Sequence, residues 1–289
     1  MAPKVRSVRV GVVDLDEYRR RSLQAWDRFA SNWDEQRSFI WGVTRPVSER
    51  LVAGLDPGRG ETVLELAAGT GETGFLVAER LGEGGHVIST DFAPAMVDAA
   101  RRRGEELGLE NFEYRVLDAE RMDLADNSVD GVVCRFGYML MADPAAALAE
   151  TRRVLRDRGR VAFAVWGPPD KNAWAAIPGM SMVELGHMPV PEPGAPGIFA
   201  MADPQRINEL VVGAGFGEPR VEQVEIDWEY SSPDEHWEKT LKLSAPIAEA
   251  YGSLEPAAQD EVREKVALRI SERLEAGGLG GLIHVAVTS

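Results

Sequence analysis

Apolar positions along this chain fall into two recurring patterns: short runs of strand length, and longer stretches spaced at three and four residues. Thr62 to Leu66 is a strand-like run. It closes on a glycine-rich turn, and the segment after it places Phe75, Leu76, Ala78 and Leu81 on one helical face. The pattern then repeats. His86 to Ser89 predicts a second strand ending at Asp91, and Pro94 stands where the first residue of a helix favours proline. Phe112 to Leu117 predicts a third strand, and the turn at Asn127-Ser128 leads into a fourth, Val129 to Cys134. Asp143-Pro144 caps a helix over 145–155, and Arg158-Gly159-Arg160 enters a fifth strand, Val161 to Trp166. Strands alternating with helical segments predict an α/β fold with a parallel, doubly wound sheet.

The flanks read differently. Residues 1 to about 15 form an arm without periodicity, and Asp16 to Leu55 is helical and rich in aromatics, with Tyr18, Trp26, Phe29, Trp33, Phe39 and Trp41. Pro46 is expected to start a helix that Asp56-Pro57-Gly58 terminates. Beyond Gly167 the pattern becomes irregular, with a proline-rich loop from Pro189 to Pro196, the length and composition of many lids. Asp203-Pro204 caps a helix to about Ala214, and Val221 to Trp228 alternates as a half-buried strand. A helical stretch from Pro233 to Glu275, broken near Ser253 to Pro256, precedes a last strand, Leu282 to Thr288. No internal repeat is present.

The turn after the first strand carries the chemistry. Gly69, Gly71 and Gly74 satisfy G-x-G-x-x-G, a dinucleotide fingerprint in which glycine allows φ > 0 and close approach of the backbone to a ligand. Glu65 and Glu72 flank this turn. Carboxylates oppose a pyrophosphate at a helix N-terminus but suit a ligand bearing an ammonium and a sulfonium. Asp91 lies about 20 residues past Gly71, where an acidic side chain accepts hydrogen bonds from ribose hydroxyls. That device serves NAD enzymes and S-adenosylmethionine (SAM) enzymes alike, so Asp91 points to an adenosine ligand without choosing between them.

The run Glu65-Leu66-Ala67-Ala68-Gly69-Thr70-Gly71 resembles motif I of the class I SAM-dependent methyltransferases, with Ala67 where many members have their first glycine. Ala93-Pro94-Ala95-Met96-Val97, Asp118-Ala119-Glu120 and Glu150-Thr151-Arg152-Arg153-Val154-Leu155 resemble later segments of that family, although Asp157-Arg158 replaces its Pro-Gly. Trp26 to Asp34 resembles the amino-terminal segment of the quinone-biosynthesis C-methyltransferases and the methyltransferase type 11 group, which folds over the SAM pocket. The alternative for each aromatic there is plain core packing. Two quinone-group runs are absent: Phe136-Gly137-Tyr138-Met139-Leu140 and Met122-Asp123-Leu124 stand in their places.

The resemblance implies a Rossmann-like seven-stranded sheet whose last strand is antiparallel, an amino-terminal helical lid, and a helical cap inserted before the last strand. In residue terms these are 1–55 for arm and lid, 56–232 with 282–289 for the SAM-binding core, and 233–281 for the cap. It implies SAM as cofactor, S-adenosylhomocysteine as product, and Glu65, Ala67, Gly69, Gly71, Asp91, Phe92, Met96, Asp118, Ala119, Glu120 and Arg135 as the residues around them. Asp118 would bond the adenine amine, the next backbone N–H a ring nitrogen, and Phe92 would pack on the ring.

Composition narrows the partners. Among 289 residues, 44% are apolar and 27% charged, ordinary for a globular enzyme. A net charge of −15 argues against nucleic acid, which needs basic faces; Arg101-Arg102-Arg103 points in several directions on a helix. The single cysteine, Cys134, excludes an internal disulfide and is expected to be a buried hydrophobe rather than a nucleophile. No apolar leader follows Lys4, Arg6 and Arg9, and no apolar run reaches the roughly 18 residues of a membrane span, so a cytoplasmic monomer or homodimer is expected. No metal site is expected. Methyl transfer requires alignment and exclusion of water more than any one side chain, leaving Arg135, His187 and His236 as catalytic candidates, each with a structural alternative. The substrate side suggests a small, apolar or aromatic metabolite. An NAD-dependent oxidoreductase and a non-catalytic SAM-binding protein are the competing readings, and the first lacks a Tyr-x-x-x-Lys pair.

Overall fold

The computed structural model describes residues 14–192 and 194–289, so the arm expected over 1–15 lies almost wholly outside the described residues, as does Pro193 in the proline-rich loop. A seven-stranded sheet forms the centre: β1 (Thr62–Leu66), β2 (His86–Asp91), β3 (Phe112–Val116), β4 (Val129–Arg135), β5 (Leu155–Trp166), β6 (Arg220–Trp228) and β7 (Leu279–Thr288). Their order is β3-β2-β1-β4-β5-β7-β6. The first five strands are parallel, and β7 runs antiparallel to both β5 and β6, so β6 points the same way as β5. Central strands covered by helices on both faces read as continuous apolar runs, which is why they were legible. Val63, Leu64, Val132, Val133, Phe163 and Val165 have no exposed surface at all.

Helices α3 (Glu72–Leu81), α4 (Pro94–Glu106) and α5 (Pro144–Val154) make the crossovers. In α3 the inward face is Phe75, Val77, Ala78 and Leu81, while Leu76, expected there, is half-buried. The amino-terminal pair is α1 (Leu15–Glu35) and α2 (Arg37–Leu55). Asp14 caps α1 by accepting from the N–H groups of Asp16 and Glu17, both at 3.1 Å.

Pro46 does not start a helix; α2 runs through it. Proline inside a helix costs about 3 kcal/mol, but Val47, Leu51, Val52 and Leu55 beyond it and Ile40 before it are all buried. Each such side chain contributes about 1.5–3 kcal/mol, so burial outweighs the break. The fifth strand also begins earlier than Val161. Leu155 already pairs with Val129, and the ladder slips before Gly131 meets Arg160, with Arg158 at φ 67 inside the bulge. Asp157-Arg158 therefore builds an irregular strand entry where the family has a Pro-Gly turn.

Two further helices join β5 to β6: α6 (Ala173–Glu184) and α7 (Pro204–Gly213). The apolar sequence of α6, with Pro178 and Gly179 inside, lacks a polar stripe, and so carried no helical signal. Between β6 and β7 lie α8 (Pro233–Leu243), α9 (Ala245–Gly252) and α10 (Pro256–Glu275), the inserted cap in three pieces, with an extra break at Ser244. No helix among the described residues is long and apolar enough to cross a membrane.

Candidate cofactor and substrate site

Between β1 and α3 the backbone takes three left-handed conformations, at Ala67 (φ 50), Gly69 (φ 57) and Gly71 (φ 87). Ala67 pays the usual penalty of a Cβ in that region, about 1–2 kcal/mol. The turn is pinned from below: the Ala68 N–H donates to Thr90 O at 2.9 Å, and the Gly71 N–H to Ala68 O at 2.9 Å. A Cβ at Gly69 would meet nothing within 4 Å, so the backbone faces open space there.

Glu65 is buried at the end of β1, accepting from the Gly74 N–H at 2.7 Å and the Ser89 hydroxyl at 2.8 Å. Burial pushes its carboxyl up to about 8 against the pull of those two donors and of Arg135. It thus ties the turn to α3 and β2. Glu72, the first residue of α3, lies 3.4 Å from the Arg37 guanidinium and is also raised by burial.

Asp91 ends β2 directly under the turn. Its two oxygens accept from the N–H groups of Gly69 and Ala93, both at 3.0 Å, and burial raises it to about 6. A carboxylate has about four acceptor positions, so two remain. Asp118, half-exposed after β3, accepts from the Glu120 N–H at 2.9 Å, and Ala119 is buried beside it. Glu120 belongs elsewhere: Arg19 of α1 binds its carboxylate, Nε at 3.0 Å, and the Ala142 N–H donates to it at 2.8 Å. Met96 is buried with Ala30 and Ala93, and Phe92, Trp26 and Trp33 pack around them. Phe92 thus shares one small cluster with Trp26 and Trp33 of α1.

Helix α1 crosses the carboxyl ends of three strands. Besides the Arg19–Glu120 pair, the Tyr18 hydroxyl donates to Leu140 O at 2.9 Å and Asp27 accepts from the Ala95 N–H at 2.9 Å. Trp33 Nε1 donates to Leu243 O at 3.2 Å, joining α1 to the cap.

Arg135 ends β4 half-buried, donating to Thr44 Oγ1, with Glu65 and Glu72 the charges that favour its charged form against desolvation. Cys134 beside it is fully buried and its thiol is pushed up to about 12, so it holds no thiolate. His187, in the α6–α7 loop, has a buried Nε2 without a partner among the described residues. His236, on α8, is completely buried, with Nε2 2.8 Å from Trp174 O. The structure does not bring these three together as one constellation: Arg135 sits at the turn, His236 in the cap.

An aromatic wall, in contrast, was only partly legible. Phe136 follows β4, Trp166 ends β5 and Trp228 ends β6, all at the carboxyl edge of the sheet. Phe136, at φ 62, stacks on Trp166 at 4.3 Å; Trp166 meets Trp174 at 4.9 Å; Trp174 meets Trp228 at 4.4 Å; and Phe39 of α2 meets Trp228 at 5.5 Å. The next residue after Phe136 touches the glycine turn: a Cβ on Gly137 would lie 2.7 Å from the Ala67 Cβ. An aromatic at the end of each of these strands was the signal available in the sequence.

A doubly wound sheet of this order, with an antiparallel seventh strand and acidic residues around a left-handed glycine turn, defines the class I methyltransferase fold. Residues 57–173 match the family model described as a methyltransferase domain. Aklanonic acid methyltransferase DauC of Streptomyces sp. is 34% identical over 146 residues, 50% of this chain and 65% of that protein. The ubiquinone/menaquinone biosynthesis C-methyltransferase UbiE of Acidiphilium cryptum is 36% identical over 150 residues, 51% and 59% of the two chains. Methyltransferase ktnA of Aspergillus niger is 28% identical over 227 residues, 68% and 71%. The alignments cover less than two thirds of the length of the first two relatives. Among solved structures, a geranyl diphosphate methyltransferase in complex with GPP and sinefungin superposes with TM-score 0.50 at 17% identity, over 85% of this chain and 78% of that one. Residues 57–173 thus carry a methyltransferase domain, set in a sheet of the class I SAM-dependent methyltransferase order, and SAM is the cofactor of that family.

Proposed function

We propose that this protein transfers the methyl group of SAM to a small, apolar or aromatic metabolite. The observation that carries the reading is the division of one sheet edge into two halves. Acidic residues end β1 and β2 and follow β3, on the side of the glycine turn, and aromatics end β4, β5 and β6. Ligands of open α/β sheets bind outside the carboxyl ends of the strands, where the order reverses, here between β1 and β4.

The residues present fit SAM by the chemistry of their donors and acceptors. Asp91 keeps two acceptor positions for ribose hydroxyls, Asp118 with the Ala119 N–H takes the adenine, and Phe92 and Met96 supply apolar surface. Ala67, Gly69 and Gly71 leave backbone accessible to the methionine half, with Glu65, Arg135 and Glu72 behind it. Glu120 acts indirectly in this reading, holding α1 to the edge. SAM supplies the electrophilic methyl; the chain's part is to orient the acceptor and keep water out. The division into arm and lid (1–55), core (56–232 with 282–289) and cap (233–281) belongs to the same reading, residues 1–13 lying outside the described residues.

The fold alone does not choose methyl transfer, since the [4+2]-cyclase SpnF superposes with TM-score 0.51 at 15% identity. Calorimetric titration with SAM, S-adenosylhomocysteine and NAD decides first. Asp91→Ala would strip the turn of both anchors, at Gly69 and Ala93, whereas Asp91→Asn keeps one acceptor oxygen, so Asp91→Asn is the sharper variant. Micromolar binding of the sulfur ligands, about −8 kcal/mol, weakened roughly tenfold or more in Asp91→Asn, is expected. NAD binding in their place, or turnover absent across an aromatic metabolite panel, would replace the reading with an oxidoreductase or a non-catalytic binder.

A further inference from the structure

The sheet ends in two edge strands, β3 and β6, and their charges differ. Charged side chains on an edge strand ordinarily keep a second chain from pairing with it. β6 fits that use, since Glu222, Glu225 and Asp227 outnumber its one basic residue, Arg220. β3 does not. It reads Phe112-Glu113-Tyr114-Arg115-Val116, with one charge of each sign on either side of Tyr114.

The hydrogen bonds to β2 define which backbone groups of β3 face outward. The Val87 N–H donates to Asn111 O and the Leu117 N–H donates to Asp91 O, both at 3.0 Å. Asn111, Glu113, Arg115 and Leu117 therefore turn their backbone groups towards β2. Strand residues alternate, so the N–H and C=O groups of Phe112, Tyr114 and Val116 point away from the sheet, without a partner among the described residues. The edge is open: Glu113 is exposed and Val116 is 56% exposed.

We propose that β3 pairs antiparallel with β3 of a second copy, about a two-fold axis at Tyr114, making a dimer with one continuous sheet. Tyr114 then faces Tyr114, Phe112 faces Val116, and Glu113 faces Arg115 of the second copy. The three outward residues fall at hydrogen-bonded positions, so each exchanges both backbone bonds with its counterpart. Glu113 and Arg115 fall at the non-hydrogen-bonded positions, where side chains come closest, and the symmetry makes their attraction occur twice. In the adjacent registers that keep the backbone in phase, Glu113 would face Glu113 or Arg115 would face Arg115, so charge also fixes the register. Within one chain Glu113 lies 3.4 Å from Arg115 and 3.8 Å from His86, and Arg115 donates to Asp123 O at 3.2 Å. Such half-exposed contacts are worth little and can rearrange on pairing. The joint is isologous and closes on itself. A ladder of five residues a side buries less than the roughly 1,200–2,000 Å² of a stable interface, and a net charge of −15 opposes approach, so a dissociation constant on the order of 10–100 μM is expected. The pairing does not depend on which reaction the carboxyl edge performs.

The test is sedimentation velocity and light scattering of the full chain from about 1 μM to about 1 mM, a range that brackets this constant. Wild type is expected to pass from monomer to dimer. Glu113→Arg and Arg115→Glu each turn both attractive pairs into repulsive ones, so each alone should weaken the dimer about tenfold or more. Mixed in equal amounts, the two variants set arginine against glutamate at every such position, and a heterodimer about as tight as the wild-type dimer should form. The double variant Glu113→Arg with Arg115→Glu restores the pairing within one sequence and should dimerise like wild type. A wild type that stays monomeric throughout overturns the proposal. So does a dimer that persists unchanged in both single variants, which would place the interface elsewhere. Failure of both the folded mixture and the folded double variant to associate overturns it as well.

Discussion

Gly74→Ala tests whether Glu65 is a fixed brace of the glycine turn. Gly74 lies in the first turn of α3, where alanine is ordinarily worth up to about 1 kcal/mol over glycine. Here a Cβ would come within 2.9 Å of the Glu65 Cδ and closer still to Oε2. The carboxyl cannot retreat easily, since the Gly74 N–H and the Ser89 hydroxyl both hold it and only 2% of the residue is exposed. Overpacking a tight interior costs about 1–3 kcal/mol, and straining one of two buried hydrogen bonds adds about 1 kcal/mol. Set against the helix gain, the net loss is about 1–3 kcal/mol. In a chain of this size that lowers Tm by roughly 2–8 °C, measured by calorimetric or circular-dichroism melting. In the background of Glu65→Ala the same substitution should cost little, a coupling a double-mutant cycle reads directly. Gly74→Ala melting at or above wild type, with no coupling to residue 65, would refute the brace.

Two other outcomes follow from the same contacts. The Glu65 carboxyl is raised from 4.5 to about 8, so between those values the folded state holds more protons than the unfolded state and stability falls as pH rises; urea melts of Glu65→Gln should show a shallower decline from pH 5 to 8 than wild type. Arg19→Ala leaves the buried Glu120 carboxylate with the Ala142 N–H as its partner among the described residues, at an expected cost of about 1–3 kcal/mol, and hydrogen exchange should quicken in α1 well before the sheet; unchanged protection in α1 would show that its other contacts suffice.

The parts legible in the sequence are those dictated by local chemistry. Strands β1, β2, β4 and β5 are apolar because both faces of the sheet are covered, and glycines and an aspartate punctuate them where the backbone turns. The turn at Ala67 to Gly71 and the strand-end carboxylates at 65, 91 and 118 could therefore be placed by number. Pro46 misled for a related reason: its local signal is a helix start, and only the buried residues on either side carry α2 through it. The apolar helix α6 had no stripe to betray it. What tertiary structure alone decided is which partner each polar group finds. Glu65 faces Gly74 and Ser89, and Glu120 faces Arg19 from a helix 101 residues earlier in the chain. Trp166, Trp174, Trp228 and His236 converge from two strands and two helices. Periodicity records whether a side chain is inside or outside; it does not record what it meets there, because that depends on how distant segments pack.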